Sequence, residues 1–329
     1  MKNLLYIAFM LVSTMVCGQD SQFTQFYAAP TYLNPAFAGT SVQHRMSANY
    51  RKQWASIPGG WVAYNAAFDT YVAPLRSGIG FLATHEKAGT GGLRATTISA
   101  QYAYEVTISR GLFFRPALQF SFSNRNINFN DLTFGDQLLR NNDPTTLEAN
   151  VFQPINFFDL ATGAVIANAN FWFGASVHHL NQPNESLFPD RVGVLPRKYS
   201  AHGGYKFHFN GRNRDSNNLI AAFNYKKQGE FDQLDLGAYY EVKPVTFGLW
   251  YRGLPLKSNG YGYLNHDSFA LIVGFDNGAV KFGYSYDFTI SQLSIASSGG
   301  SHELSYVYEW GNRKNLRASR KRIVPCAKF

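Results

Sequence analysis

Cysteine is nearly absent from this chain: Cys17 and Cys326 are the two it has. Cys17 sits in an apolar leader, so one thiol survives processing and no internal disulfide framework can form. Charge is scarce as well, at 16% of residues. Apart from the leader, no apolar run approaches the length of a spanning helix, so a membrane crossing would have to be built from strands. Positive charge is missing from the body rather than from the whole. The net charge is +9, but Arg313, Lys314, Arg317, Arg320, Lys321, Arg322 and Lys328 supply most of it, and no acid follows Glu309. The body is close to neutral, and the basic character belongs to a tail.

The leader reads as a secretory signal. Lys2 precedes an apolar run from Leu4 to Val16, and the small Gly18 stands before Gln19. Cleavage after Gly18 is expected. A lipoprotein reading with Cys17 acylated competes with it, against which Val16 is branched where a small residue is wanted.

What is abundant is alternation. About fourteen short segments place apolar and polar residues in strict turn, the signature of strands with one apolar face. Residues 44–52 set Met46, Ala48 and Tyr50 against Arg45, Ser47, Asn49 and Arg51. Residues 93–106 set Ile98, Ala100, Tyr102 and Tyr104 against Thr97, Ser99, Gln101 and Glu105. In 111–125, Leu112, Phe114, Leu118, Phe120 and Phe122 oppose Arg115, Gln119, Ser121, Ser123 and Arg125. Further strands are expected at 61–72, 77–86, 158–167, 170–179, 198–209, 218–226, 231–242, 245–252, 266–275, 278–288 and 301–310. Their connections alternate short and long, and charged residues recur on the inner face. Both features suit an all-β, antiparallel transmembrane β-barrel of about fourteen strands with lipid outside and a polar interior. The expected organisation is a signal peptide over 1–18, an N-terminal periplasmic segment over 19–43, the barrel over 44–310 and a basic tail over 311–329.

Within 19–43, Pro30 and Asn34-Pro35 disfavour regular structure, while Phe23, Phe26, Tyr27, Tyr32 and Phe37 are too apolar to stay in water. The segment is expected at the periplasmic mouth of the barrel or against a partner. Arg45, Arg51, Arg115, Glu105, Gln119 and Glu241 all fall on the inner face, which predicts a crowded, internally paired lumen.

Few residues suggest chemistry. His178 and His179 are neighbours on an expected strand and point to opposite faces, so they are not read as a metal pair. Asp287, His302 and Glu303 with Ser285, Ser291 and Ser301 resemble an acid–base inventory, but nothing fixes a nucleophile beside a base. A wall-bracing network is the preferred reading, and no catalytic, metal or cofactor residue is assigned. Gly89 to Gly92 lacks the Lys-Ser/Thr of a phosphate loop. Nucleic acid is not expected as a partner of a secreted chain. The long loops 126–157, 180–197 and 253–265 carry Phe129, Phe134, Leu138, Phe152, Phe157, Leu187, Phe188, Leu254, Tyr261 and Tyr263. Such apolar content marks a partner site, or else the loops pack on one another as a lid. The tail residues Arg317, Arg320, Lys321 and Arg322 could draw an acidic partner at long range.

Several longer stretches add up to a family. Gln22-Phe-Thr-Gln-Phe-Tyr-Ala-Ala-Pro-Thr-Tyr-Leu-Asn-Pro-Ala-Phe-Ala-Gly39 follows the leader, then Tyr50-Arg-Lys-Gln-Trp54. Phe134-Gly-Asp-Gln-Leu138, His179-Leu-Asn-Gln-Pro183, Gly283-Tyr-Ser-Tyr-Asp-Phe-Thr-Ile-Ser291, Gly299-Gly-Ser-His-Glu303 and Pro325-Cys-Ala-Lys-Phe329 come later. Together they resemble the PorP/SprF family of outer-membrane proteins. The resemblance implies a component of the type IX secretion or gliding machinery. Its expected partner is a secreted adhesin, bound through the adhesin's type IX C-terminal targeting domain and helped toward secretion or surface attachment. Periplasmic components of the secretion motor and outer-membrane lipid are the other partners implied. The loop residues Phe129, Phe134, Phe152, Leu187, Phe188, Tyr261 and Tyr263 and the basic tail are the candidate contact residues. A passive outer-membrane transporter of apolar small molecules is the alternative.

Overall fold

A computed structural model describes residues 20–41, 44–141, 143–209, 217–258, 264–291, 293–311 and 324–326. Strands dominate, and they run antiparallel in chain order. They are β1 (His44–Gln53), β2 (Val62–Val72), β3 (Ser77–Ala88) and β4 (Leu93–Tyr104, resuming at Val106–Ser109). Next come β5 (Leu112–Asn126), β6 (Ile155–Ala167), β7 (Phe171–His178), β8 (Lys198–His208) and β9 (Asn217–Gln228). The last are β10 (Phe231–Val242), β11 (Val245–Ser258), β12 (Leu264–Asn277), β13 (Val280–Thr289) and β14 (Ser301–Trp310). Both pieces of β4 pair with β5, and β1 pairs with β14. The sheet therefore closes on itself as a barrel of 14 strands, which leaves no edge to lipid. Among the described residues no helix is long and apolar enough to cross a membrane.

The period of two decides which side each residue meets. Phe68, Met46 and Tyr308 line up across β2, β1 and β14 and are directed outward. One position along, Asp69, Arg45 and Glu309 form the matching inward row. There Arg45 meets Asp69 at 2.7 Å and Lys281 meets Glu309 at 2.6 Å. The outer surface is a band of exposed Phe, Leu, Ile, Val and Tyr, among them Phe81, Ile98, Leu118 and Phe120. Water would leave that band unsatisfied, and a bilayer covers it.

Short turns and both ends of the barrel chain lie at one end, taken as periplasmic; the longer loops lie at the other. Several expected boundaries shift, and β6 begins at Ile155 rather than 158, which puts Phe157 on the wall and not in the loop. The loop expected over 253–265 is shortened because β11 and β12 continue past Arg252, with register shifts at Arg252/Gly253 and Leu254/Ser258. β4 breaks at Glu105, whose backbone N–H turns to the Arg76 carbonyl at 2.8 Å while its carboxylate faces inward.

Candidate functional site

The lumen holds the N-terminal segment. Residues 20–41 run from the extracellular half of the barrel down to its periplasmic mouth, with nearly every side chain buried. Placement at the mouth, as expected from sequence, describes only the lower part of this segment. The rest continues up the lumen, because a wall lined by paired charges offers its polar main chain partners at every level.

At the bottom, Gly39 N–H donates to Asp69 at 2.7 Å and Arg45 donates to the Phe37 carbonyl at 3.1 Å. Arg115 pairs with Glu105 at 2.8 Å and donates to the carbonyls of Ala36, at 3.2 Å, and Ala38. Asn34 and Pro35 open a single turn of 3-10 helix, capped by the Asn34 side chain accepting from Ala36 N–H at 2.9 Å. The other end of that amide reaches the wall, with Nδ2 3.0 Å from the Ala175 carbonyl and 3.1 Å from His202. This close approach needs glycine in the wall. A Cβ on Gly78 would collide with the Ala38 carbonyl, and one on Gly163 with the Asn34 amide.

Aromatic side chains fill the middle. Phe26 meets Trp250 edge-on at 4.8 Å, Tyr27 meets Trp172 at 5.3 Å, and Tyr239 packs on Trp250 at 5.5 Å. Val324 and Cys326, from the end of the chain, are buried in the same cluster. Part of the segment expected as a basic tail thus returns into the lumen, where the apolar Val324 is withdrawn from water. The Cys326 thiol sits 3.8 Å from the Val324 carbonyl.

Above the aromatics lies the densest charge. Glu303 accepts the backbone N–H groups of Thr24 at 2.6 Å and Gln25 at 2.9 Å. Arg51 meets Asp287 at 2.7 Å and Glu303 at 3.2 Å, and Arg252 bridges Asp235 and Asp287 at 3.2 and 3.3 Å. Nearer the periplasmic end of the wall, Lys206 pairs with Glu241 at 2.7 Å, and Gln119 accepts from Gln101 at 2.7 Å. These carboxylates are buried and paired, which is a bracing arrangement. His302 is on the outer side of the wall, where Tyr284 and Tyr286 surround it at ring distances of 6.2 and 4.8 Å. The wall therefore separates it from Asp287 and Glu303.

At the top, Asp20 anchors the segment. It meets Lys198 at 2.5 Å and His179 at 3.0 Å, and Gln228 donates to it at 3.1 Å. His179 also contacts Asp159 at 2.8 Å. The expectation that His179 faces away from His178 is corrected here: β7 stops at His178, and His179 takes a left-handed φ of 58° that turns its ring inward. The two rings remain 6.3 Å apart. Among the described residues there is no group of three metal-capable side chains. Burial disfavours the His179 imidazolium, yet Asp20 and Asp159 outweigh it and raise the pKa to about 9. Burial acts to raise Asp20, and Lys198 and His179 override it, holding the carboxyl well below its usual range.

Over this plug, the extracellular loops bring four of the predicted residues together. Phe129 packs on Phe134 at 4.9 Å and lies 6.5 Å from Phe152, which meets Phe188 at 5.1 Å. The Leu187 carbonyl accepts from Gln153 N–H at 2.9 Å, tying loop 127–154 to loop 179–197. All five are half-buried: the aromatics form the inside of the loop cluster. Leu138, one of the apolar loop residues expected to mark a partner site, is exposed on it. Leu139 at 90%, Leu147 at 82% and Val192 at 79% exposure were missed, because isolated aliphatics between polar residues give no periodic signal. Tyr261, Tyr263, Arg317, Arg320, Lys321 and Arg322 lie outside the described residues.

Solved structures similar to this chain are outer-membrane barrels. The Pseudomonas putida toluene transporter TodX has a TM-score of 0.49 at 10% identity, over 85% of this chain and 93% of that one. The CymD monoaromatic hydrocarbon channel has 0.46 at 12%, over 90% and 96%. A mutant Rh. blastica porin has 0.34 at 10%, over 81% and 99%. No curated protein matches the sequence. The model of the type IX secretion system membrane protein family PorP/SprF matches residues 16–308. With that match spanning the leader's end, the lumenal segment and the barrel wall, the chain belongs to the PorP/SprF family of type IX secretion system membrane proteins.

Proposed function

We propose that this barrel works by binding: it holds a secreted adhesin at the outer membrane through the adhesin's C-terminal targeting domain, and it assists that protein's secretion or surface attachment. The observation that carries the reading is the pairing of a filled lumen with an apolar extracellular crown. Arg51, Arg115 and Arg252 with their carboxylates line the interior, and residues 20–41 occupy it. A passive path for apolar small molecules would need an apolar lining, so the transporter alternative is the weaker reading. Leu138, Leu139, Leu147 and Val192 present apolar surface on the outside, supported from below by the four phenylalanines.

Catalysis forms no part of this proposal. On the periplasmic side, Trp310 and Val324 both lie near the mouth. The residues between them, Arg317, Arg320, Lys321 and Arg322 included, are proposed to draw an acidic component of the secretion motor to that mouth. The test is photo-crosslinking in cells from a benzophenone side chain at Leu139. A crosslink to a surface protein carrying a type IX C-terminal domain supports the reading. Its absence, when a lipid-facing probe at Phe120 crosslinks equally little, contradicts it.

A further inference from the structure

The lipid-facing side of the wall changes character toward the extracellular end along β1 to β6. On β1, Met46, Ala48 and Tyr50 face outward, and the exposed Lys52 follows them. On β3, Phe81 and Ala83 give way to His85 and Lys87, and on β4 Ile98 gives way to Thr96 and Arg94. On β5, Phe122 is followed by Asn124 and Asn126, and on β6 Phe158 is preceded by Asn156. Acyl chains would leave such groups unsatisfied, so these positions belong to the headgroup layer.

The cations on this arc are neighbours. Lys87 stands directly opposite Arg94, and Lys52 lies two strands from Lys87 in the same register row, through Val62. At about 4.8 Å per strand, the three positions span roughly 15 Å. The row climbs from Lys52 to Arg94 because the strands tilt. Like charges directly opposite on a sheet repel. Asp131 reaches this pair, 3.7 Å from Arg94, with both side chains partly exposed. Residues 54–61, 88–92 and 290–300, the loops above the arc, contain no acid. The arc therefore stays positive. On the far side of the barrel the outward Lys227 stands opposite Asp232 and is balanced.

Hydrogen-bonding groups accompany the cations. His85 Nδ1 is 2.8 Å from Thr96 Oγ1, Asn126 donates to Asn124 at 2.9 Å, and Asn124 donates to Asn156 at 2.7 Å. This amide chain ends in the Asn126 oxygen on one side and the Asn156 NH2 group on the other. A phosphate alone matches the cations and not the amides. A phosphorylated sugar matches both.

We propose that the arc from β1 to β6 binds a phosphorylated glycolipid of the outer leaflet. Lys52, Lys87 and Arg94 take its phosphates, and the Asn126 and Asn156 amides take its sugar hydroxyls. Its acyl chains lie on Ile98, Phe122 and Phe158 directly below. An acidic protein segment would answer the charges but not these apolar residues; the lipid covers both. The inference rests on the chain's place in the outer membrane and not on the adhesin reading.

The test is native mass spectrometry of the full-length barrel released from tetraethylene glycol monooctyl ether. Diphosphoryl lipid A, phosphatidylethanolamine, glucosamine 6-phosphate and hexaglutamate are the separate probes. Saturable binding of lipid A is expected, tighter than that of the other three. Lys52→Gln, Lys87→Gln and Arg94→Gln together should weaken it about tenfold or more, as loss of three cations at an anionic headgroup requires. Lys227→Gln should leave it unchanged. Should the triple variant lose its heat-modifiable fold, Lys87→Gln alone is read instead, and it too should weaken binding. Lipid A bound no tighter than phosphatidylethanolamine, or equally by the native and arc variants, would overturn the proposal. So would an equal loss in Lys227→Gln or tighter binding of glucosamine 6-phosphate, and tighter binding of hexaglutamate would replace the lipid with a protein partner.

Discussion

Arg51 and Glu303 sit opposite each other in the register that closes the barrel, β1 against β14, and their side chains meet at 3.2 Å. The same carboxylate accepts the N–H groups of Thr24 and Gln25. Closure of the wall and seating of the plug therefore share one ion pair. Neither residue can be changed without touching both.

Arg51→Met should be severe. It leaves Asp287 and Glu303 buried without Arg51, a type of change that costs roughly 3–5 kcal/mol. The temperature at which the barrel loses its compact form in detergent gels should fall well below that of the native protein. An unchanged transition would mean that the plug network does not contribute to stability.

Gly78→Val should dislodge the plug while leaving the strand ladder intact, because the new side chain occupies the place of the Ala38 carbonyl. Protease cleavage within 23–37 should become fast. Gly135→Ala, where an added Cβ meets nothing within 4 Å, should stay resistant. Equal resistance in both would argue against tight seating.

The Asp20 anchor predicts an alkaline limb. His179 has its pKa raised in the folded state from 6.5 to about 9. Its stabilising contribution is therefore complete below about pH 6.5 and is lost as pH rises through about 9, roughly 3 kcal/mol in all. Asp20 is depressed, so its contribution holds above its ordinary carboxyl range and fades only at lower, strongly acidic pH. Proteolysis of the plug's N-terminal end should accelerate between pH 7 and 10 in the native protein, and His179→Gln should flatten that rise. A pH-independent rate in the native protein contradicts the assignment.

The wall was legible in sequence because each of its residues reports its own side: Arg45 between Met46 and the preceding polar position, Phe120 between Gln119 and Ser121. Lipid enforces that alternation locally. The plug was half legible. Phe23, Phe26 and Phe37 announced burial, but the wall residues that hold the segment, Trp250, Arg115 and Glu303, lie far along the chain, and only closure brings them close. Gly78 and Gly163 gave no signal, since a glycine's missing Cβ means nothing until Ala38 or Asn34 stands against it. His179 misled because strand geometry was extended one residue beyond the end of β7. In the loops, Phe129, Phe134, Phe152 and Phe188 were visible as apolar, yet their mutual packing turned the exposed role over to Leu139 and Leu147.

The central claim is that the extracellular crown holds a secreted protein. Leu138→Asp, Leu139→Asp and Leu147→Asp together place charge on exposed positions whose loss leaves the phenylalanine cluster and the plug in place. Adhesin should be measured in cells and medium at matched, heat-modifiable barrel levels. The account predicts release of the adhesin from the surface into the medium; adhesin retained on the cells as in the native strain contradicts it.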